Sequence, residues 1–177
     1  MNFSLERSTQ VLRRTPEVLR AMLGGGMDDF WTRGNYGPNT FSPFDVVGHL
    51  LHADRTNWVP RLRHILSDRG GVEPFAPFNR YAMFETSKGK STDQLLDAFA
   101  ATRAQSLAEL DSMNLTPADL ERTGVHPEFG CVTAAQLIAA WVVHDLNHTH
   151  QIAKAMAYQY RDAVGPWAKL LSILPKA

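Results

Sequence analysis

The chain has 177 residues, enough for one domain with a sizeable core, and its 18 lysines and arginines balance its 18 aspartates and glutamates. A formal net charge of zero supplies no global field to attract nucleic acid or an anionic membrane, and no run reaches the roughly 18 apolar residues of a bilayer span. The single cysteine, Cys131, has no partner for an internal disulfide and fits a reducing interior. The first residues, Met1 to Arg7, lack the apolar stretch of a leader, and charges continue through Arg13, Arg14 and Glu17. A cytoplasmic protein is expected, one domain over residues 1–177, with no nucleic-acid or membrane role.

The first predicted helix spans about Ser4 to Leu23, with Leu5, Val11, Leu12, Val18, Leu19, Met22 and Leu23 on its apolar face. Pro16 lacks an amide proton and should kink or restart it; Gly24 to Gly26 end it. Residues 27–40 read as a loop. The second helix opens at Phe41-Ser42-Pro43-Phe44-Asp45-Val46, with Ser42 as N-cap, Pro43 at N1 and Asp45 at N3. It should run to about Asp68, burying Val46, His49, Leu50, Ala53, Trp58 and Leu62. Residues 70–90 form a connection long enough to be either a functional lid or a crossover. A third helix begins at the Ser91 and Gln94 capping box and runs to about Met113. Thr116 caps one short turn. The fourth begins at Thr133, with Gln136 at N3, and extends to about Tyr160. Gly165-Pro166 breaks it, and Trp167 to Leu174 should form a short apolar helix. No internal repeat and no alternation long enough for a sheet are present. The expectation is all-α: a four-helix bundle with a long connection between helices 2 and 3 and a short C-terminal helix.

The fourth helix carries His144 and His148. Residues i and i+4 share a helix face with Cβ atoms roughly 5–6 Å apart, and the surrounding stripe of Leu137, Trp141, Gln151/Ile152 and Ala155 turns that face toward the core. Burying two imidazoles is costly unless each finds a partner. A shared metal ion satisfies both; core histidines bonded to neighbouring carbonyls or carboxylates are the alternative. His49 on helix 2 adds a third nitrogen, and His52, three residues on, competes for that role, because spacing alone does not choose between them. Three protein nitrogens leave an open position, as catalytic rather than structural sites do. A closed site needs a fourth ligand, for which His52, His126 and Cys131 are available.

The run Phe41-Ser42-Pro43-Phe44-Asp45-Val46-Val47-Gly48-His49-Leu50, and the run from His126-Pro127 through Thr133, Gln136-Leu137, Trp141, His144, His148 and Gln151-Ile152 to Gly165-Pro166-Trp167, resemble the DinB/YfiT-like four-helix family. That family includes bacterial thiol-dependent S-transferases and maleylpyruvate isomerases. The resemblance covers nearly the whole chain and implies a DinB/YfiT-type bundle with metal on His49, His144 and His148. Three imidazoles suit zinc, nickel, copper or iron; zinc or nickel is expected. The resemblance also implies a thiol-dependent S-transferase, with a low-molecular-weight thiol as nucleophile and a small electrophile as substrate. A metal-dependent hydrolase and a non-catalytic metal-binding scaffold are the alternatives, distinguished by dependence on added thiol and by a closed coordination shell.

Asp45, His52, His126 and Asp145 are candidates to support the ligands or line the site mouth. Asp45 precedes His49 by one turn and can hold its second nitrogen, but reads more simply as the capping acid. His126 reads equally as a turn residue. In His144-Asp145-x-x-His148 the shorter carboxylate reaches differently from the glutamate of zinc peptidases, so peptidase chemistry is not expected. His64 and His150 read as surface or rim residues, Cys131 as a small buried filler, and Phe41, Phe44, Trp58, Trp141 and Trp167 as core. The tail from Gly165 to Leu174 offers a face for a homodimer.

Overall fold

The structure is a computed structural model and describes residues 3–175; Met1 and Asn2, part of the stretch expected to carry no leader, and Lys176 and Ala177, the end of the expected domain, lie outside them. The helices are α1 (Leu5–Leu23), α2 (Asp29–Thr32), α3 (Pro43–Thr56), α4 (Trp58–Leu66), α5 (Met83–Thr86), α6 (Thr92–Ser112), α7 (Pro117–Glu121) and α8 (Ala134–Tyr158). Between α7 and α8 lie two strands, β1 (Thr123–His126) and β2 (Gly130–Thr133). A 3₁₀ helix, Gly165–Leu170, follows.

The long helices form a four-helix bundle. Both α1 and α3 pack on α6 and on α8, so α6 faces α8 across the centre. The starts are fixed as the cap residues predict: Ser42, Ser91, Thr116 and Thr133 each accept from the N3 amide while the N3 side chain returns the bond. Asp45 is occupied in this way, its Oδ2 accepting from the Ser42 amide at 3.0 Å.

Two prolines shape the helices in ways the sequence analysis did not give: Pro16 acts differently from its expected kink, and Pro60 was not weighed. α1 runs through Pro16 without a break. The Leu12 carbonyl, deprived of the residue-16 amide, accepts instead from the Arg103 guanidinium at 2.9 Å. Conversely, the single helix expected from Ser42 to Asp68 is divided at Asn57, with φ −114° and ψ −66°. Pro60 explains this: it withholds an amide from the Thr56 carbonyl and its ring crowds that carbonyl. The six inward residues named for this segment are nevertheless all buried.

Other expectations need correction. Residues 27–40 include one helical turn, α2, capped by Asp28. The absence of strands fails at β1 and β2, which pair antiparallel with Val125 opposite Cys131. Four-residue strands interrupted by glycine show no alternation in sequence, and their stability comes from packing: Phe75 donates its amide to the Val125 carbonyl at 2.9 Å. A Cβ at Gly124 would lie 2.6 Å from the Phe75 ring. Cys131 is exposed on β2 rather than buried. The expected C-terminal helix is the shorter 3₁₀ segment, in which Trp167 is 69% exposed, not core.

Apolar residues gather in two clusters, one including Leu12, Trp58, Leu62, Leu107 and Trp141, the other including Leu19, Leu50, Leu95, Phe99 and Ile152. Arg103 of α6 touches both, its Cζ 4.9 Å from the Phe99 ring centroid and 5.0 Å from that of Trp141. All five of its N–H donors are used. Nε and Nη2 donate to Asp54 at 2.7 and 2.9 Å, Nη1 and Nη2 to Asp145 at 2.6 and 3.1 Å, and Nη1 to Leu12. One buried cation thereby ties α6 to α1, α3 and α8. Burial drives the Asp54 carboxyl above its ordinary pKa, opposed by the Arg103 bonds and charge.

Candidate metal centre

α3 presents His49 and α8 presents His144 and His148 to the same point. One nitrogen from each lies within 4.8 Å of the others. The ring centroids are 5.2 Å apart for His49 and His144, 4.7 Å for His49 and His148, and 4.3 Å for His144 and His148. His49 and His148 are buried and His144 partly so. The inward stripes of the second and fourth expected helices therefore meet, and His49 rather than His52 is the residue that joins the pair.

The Nε2 atoms of His49 and His144 stand 3.1 Å apart. Two nitrogens bound tetrahedrally at 2.0–2.1 Å lie about 3.3 Å apart, so the spacing fits a shared ion. The charge state fits as well. Burial lowers the pKa of His49 to about 4, assisted by His148, and that of His144 to about 2, assisted by His148 and His49. His148 is lowered by burial too, with the Gln151 bond acting the other way. Neutral imidazoles have the lone pairs that metal ligation needs.

Gln151, one turn beyond His148, sets that ring. Its Oε1 lies 2.7 Å from His148 Nδ1, and its Nε2 donates to the Tyr36 hydroxyl at 3.2 Å. The amide oxygen therefore faces Nδ1, which carries the proton and leaves Nε2 as the donor atom for a metal. The Nδ1 atoms of His49 and His144 are buried without a partner among the described residues. Phe41 and Phe78 flank His49, with centroids 5.8 and 5.7 Å away.

The supporting candidates sit elsewhere. Asp45 serves its capping box and not His49. Asp145 is not at the site mouth: it is fully buried and paired with Arg103, because successive helical residues point about 100° apart. His52 stacks on Phe78 at 5.2 Å. His126 ends β1, where its Nδ1 accepts from the Glu128 and Phe129 amides at 3.2 and 3.3 Å; it lines the cavity above the histidines. Among the described residues the three-histidine group includes neither His52, His126 nor Cys131. The sequence analysis passed over Asp54, Arg103, Asn57 and Arg61, and it named Gln151 only as a position on the inward stripe and in the family-like run, without a role at the site.

The cavity has a volume of about 780 Å³ and is walled by α3, α4, α8, the connection from Pro77 to Tyr81 and the hairpin turn. The long connection thus contributes to the site rather than only spanning the bundle.

The sequence model of the DinB superfamily matches residues 9–152. Among solved structures, YfiT from Bacillus subtilis, described as a probable metal-dependent hydrolase with an unusual four-helix bundle topology, is similar to this chain. The identity is 21% and the TM-score 0.73, over 92% of this chain and 90% of that one. No match is found among curated proteins.

Proposed function

The chain belongs to the DinB superfamily, and from that membership and its three converging imidazoles we propose a metal-dependent enzyme acting on a small molecule in the 780 Å³ cavity. His49, His144 and His148 would hold a divalent ion, with zinc or nickel proposed from the nitrogen donor set. Such an ion supplies Lewis acidity and lowers the pKa of a nucleophile at its open position. The chain's own contributions follow from the geometry. Burial keeps the imidazoles neutral, Gln151 fixes the His148 tautomer, and Phe41 and Phe78 exclude water from one side of His49.

Within this reading, a thiol-dependent S-transferase with a low-molecular-weight thiol as cosubstrate is proposed first. The observation that carries it is the size of the cavity beside the histidines. Ligand pockets span roughly 300–1,000 Å³, and this one has room for a thiol and its electrophilic acceptor together. Hydrolysis is the second reading, favoured by the description of the structurally similar YfiT. A non-catalytic scaffold requires a fourth protein ligand, and the group formed by the described residues has three.

A homodimer through the tail is also proposed, since Trp167 and Leu170 are 69% and 75% exposed; light scattering tests it. No helix among the described residues is long and apolar enough to cross a membrane. A cytoplasmic location remains a proposal.

The test is metal content by mass spectrometry on protein purified without a metal-affinity tag, followed by turnover of chromogenic electrophiles and esters with and without added thiol. Turnover only with thiol supports the transferase, and ester cleavage without it the hydrolase. A wild-type protein that takes up no metal even on reconstitution overturns both.

A further inference from the structure

The cavity contains polar groups that the three imidazoles do not engage. Asn57 and Arg61 lie one helical turn apart, on the same face, and both line the cavity. The Arg61 guanidinium is half-buried and held in place. Its Nη2 donates to the Ala76 carbonyl at 3.3 Å, and its Cζ stands 5.0 Å from the Phe75 ring centroid. Among the described residues it forms no ion pair, whereas the fully buried Arg103 has two. Arg80, exposed on the connection, lines the same cavity and also lacks a carboxylate partner there. Among the described residues Glu128 is the only acidic one lining the cavity, and it pairs with neither arginine.

Asn57 supplies an independent observation. It is only 6% exposed, and its Oδ1 has no hydrogen-bond partner among the described residues. It stands at the N-cap of α4, where an asparagine side chain ordinarily accepts from the first-turn amides, yet it makes no capping bond. Buried amide oxygens are rarely left unpaired. An oriented guanidinium without an anion and a buried acceptor without a donor call for complementary halves of one ligand.

We propose that Asn57 and Arg61, with Arg80 at the rim, form a subsite for an oxyanion that has a hydrogen-bond donor beside it. The oxyanion pairs with the Arg61 guanidinium, and the neighbouring hydroxyl or amine donates to Asn57 Oδ1. A 2-hydroxy or 2-amino carboxylate has this chemistry, as does a monoprotonated phosphate. The subsite would anchor one end of the substrate while its reactive end lies toward the histidines. That role rests on the proposed function; the binding itself does not.

The test uses metal-free, ¹⁵N-labelled full-length protein titrated at constant ionic strength with sodium lactate, sodium propionate and inorganic phosphate. The Arg61 side-chain Nε–H and the α4 amides are followed by NMR. Saturable shifts are expected at these positions, with lactate tighter than propionate if the anion is a carboxylate and phosphate tighter than both if it is a phosphoryl group. Arg61→Met should weaken the preferred anion at least about tenfold, the effect of losing a charge-assisted bond. Asn57→Ala should erase the advantage of lactate over propionate. Should that variant fail to fold, Arg61→Met, on a half-exposed side chain, decides alone. No saturable shift with any of the three anions, or equal affinity in Arg61→Met, overturns the proposal. Because no metal is present, failure of the metal reading leaves this result unaffected.

Discussion

Arg103→Met should cost this protein most of its stability. The substitution removes the one cation that pairs with Asp54 and Asp145 among the described residues, and both carboxylate side chains are completely buried. Removing one partner of a buried ion pair costs about 3–5 kcal/mol. The Leu12 carbonyl, which Pro16 cannot serve, loses its donor as well, for about 1–3 kcal/mol more. A combined loss of about 4–8 kcal/mol compares with a total of about 5–15 kcal/mol for typical domains. The loss should also depend on pH. Without Arg103, burial raises Asp54 further above its unfolded pKa. A carboxyl raised in the folded state contributes stability that is present at low pH and lost as pH rises through the folded value. The difference between wild type and variant should therefore be larger at pH 7.5 than at pH 5. Urea unfolding of metal-free protein, followed by circular dichroism, measures it. The charge-free triple variant Asp54→Leu, Arg103→Met, Asp145→Leu should recover most of the loss. A difference below about 1 kcal/mol at pH 7.5 would refute the reasoning, as would one that stays flat between the two pH values.

Three further outcomes are expected. His49→Ala and His148→Ala should each reduce metal content from near-stoichiometric to background by mass spectrometry, while a change at the more exposed site mouth, His126→Ala, should leave it intact. Gln151→Leu leaves His148 Nδ1 without its acceptor and should weaken metal binding about 10–100-fold in competition with a chromophoric chelator; an unchanged affinity would mean that the ring is oriented by packing alone. In the metal-free protein, His49 is lowered from 6.5 to about 4, so its contribution to stability is complete above about pH 6.5 and is lost as pH falls toward 4, at about 1.4 kcal/mol per pH unit. The urea midpoint of wild type should therefore fall more between pH 7 and pH 5 than that of His49→Phe, and parallel curves would contradict the assigned burial.

The bundle was legible because its signals are local and redundant. Ser42, Ser91 and Thr133 each start a helix with a partner three residues on, and each capping box forms. The stripes through Leu50 and Trp141 have the helical period over several turns, which leaves little competition from other structures. Prolines were harder to read, since their effect depends on tertiary partners. Pro16 is harmless because a guanidinium 91 residues away in sequence occupies the orphaned carbonyl. At Pro60 no guanidinium stands in as donor for the Thr56 carbonyl among the described residues, and the chain divides one residue after Thr56. The hairpin escaped notice because its strands are short and its order derives from Phe75 on another segment.

At the site, the residues with a repeating signal were found and the solitary ones were not. His144 and His148 announce themselves by spacing, and His49 by its place on an apolar stripe. Arg103 also falls on such a stripe, four residues after Phe99 and four before Leu107, all three buried, so a charge at an inward position was the available clue. It implies buried counter-charges, and on the same two helices Asp54 lies five residues after His49 and Asp145 directly follows His144. That adjacency makes the ion pairs part of the metal centre's support. Arg103 bridges Asp54 of α3 to Asp145 of α8, the two helices that present His49 and the His144/His148 pair. Any slide of one helix past the other would have to break bonds to a fully used guanidinium before it could separate the imidazoles, so the register that brings three nitrogens within 4.8 Å is built into the fold before an ion arrives.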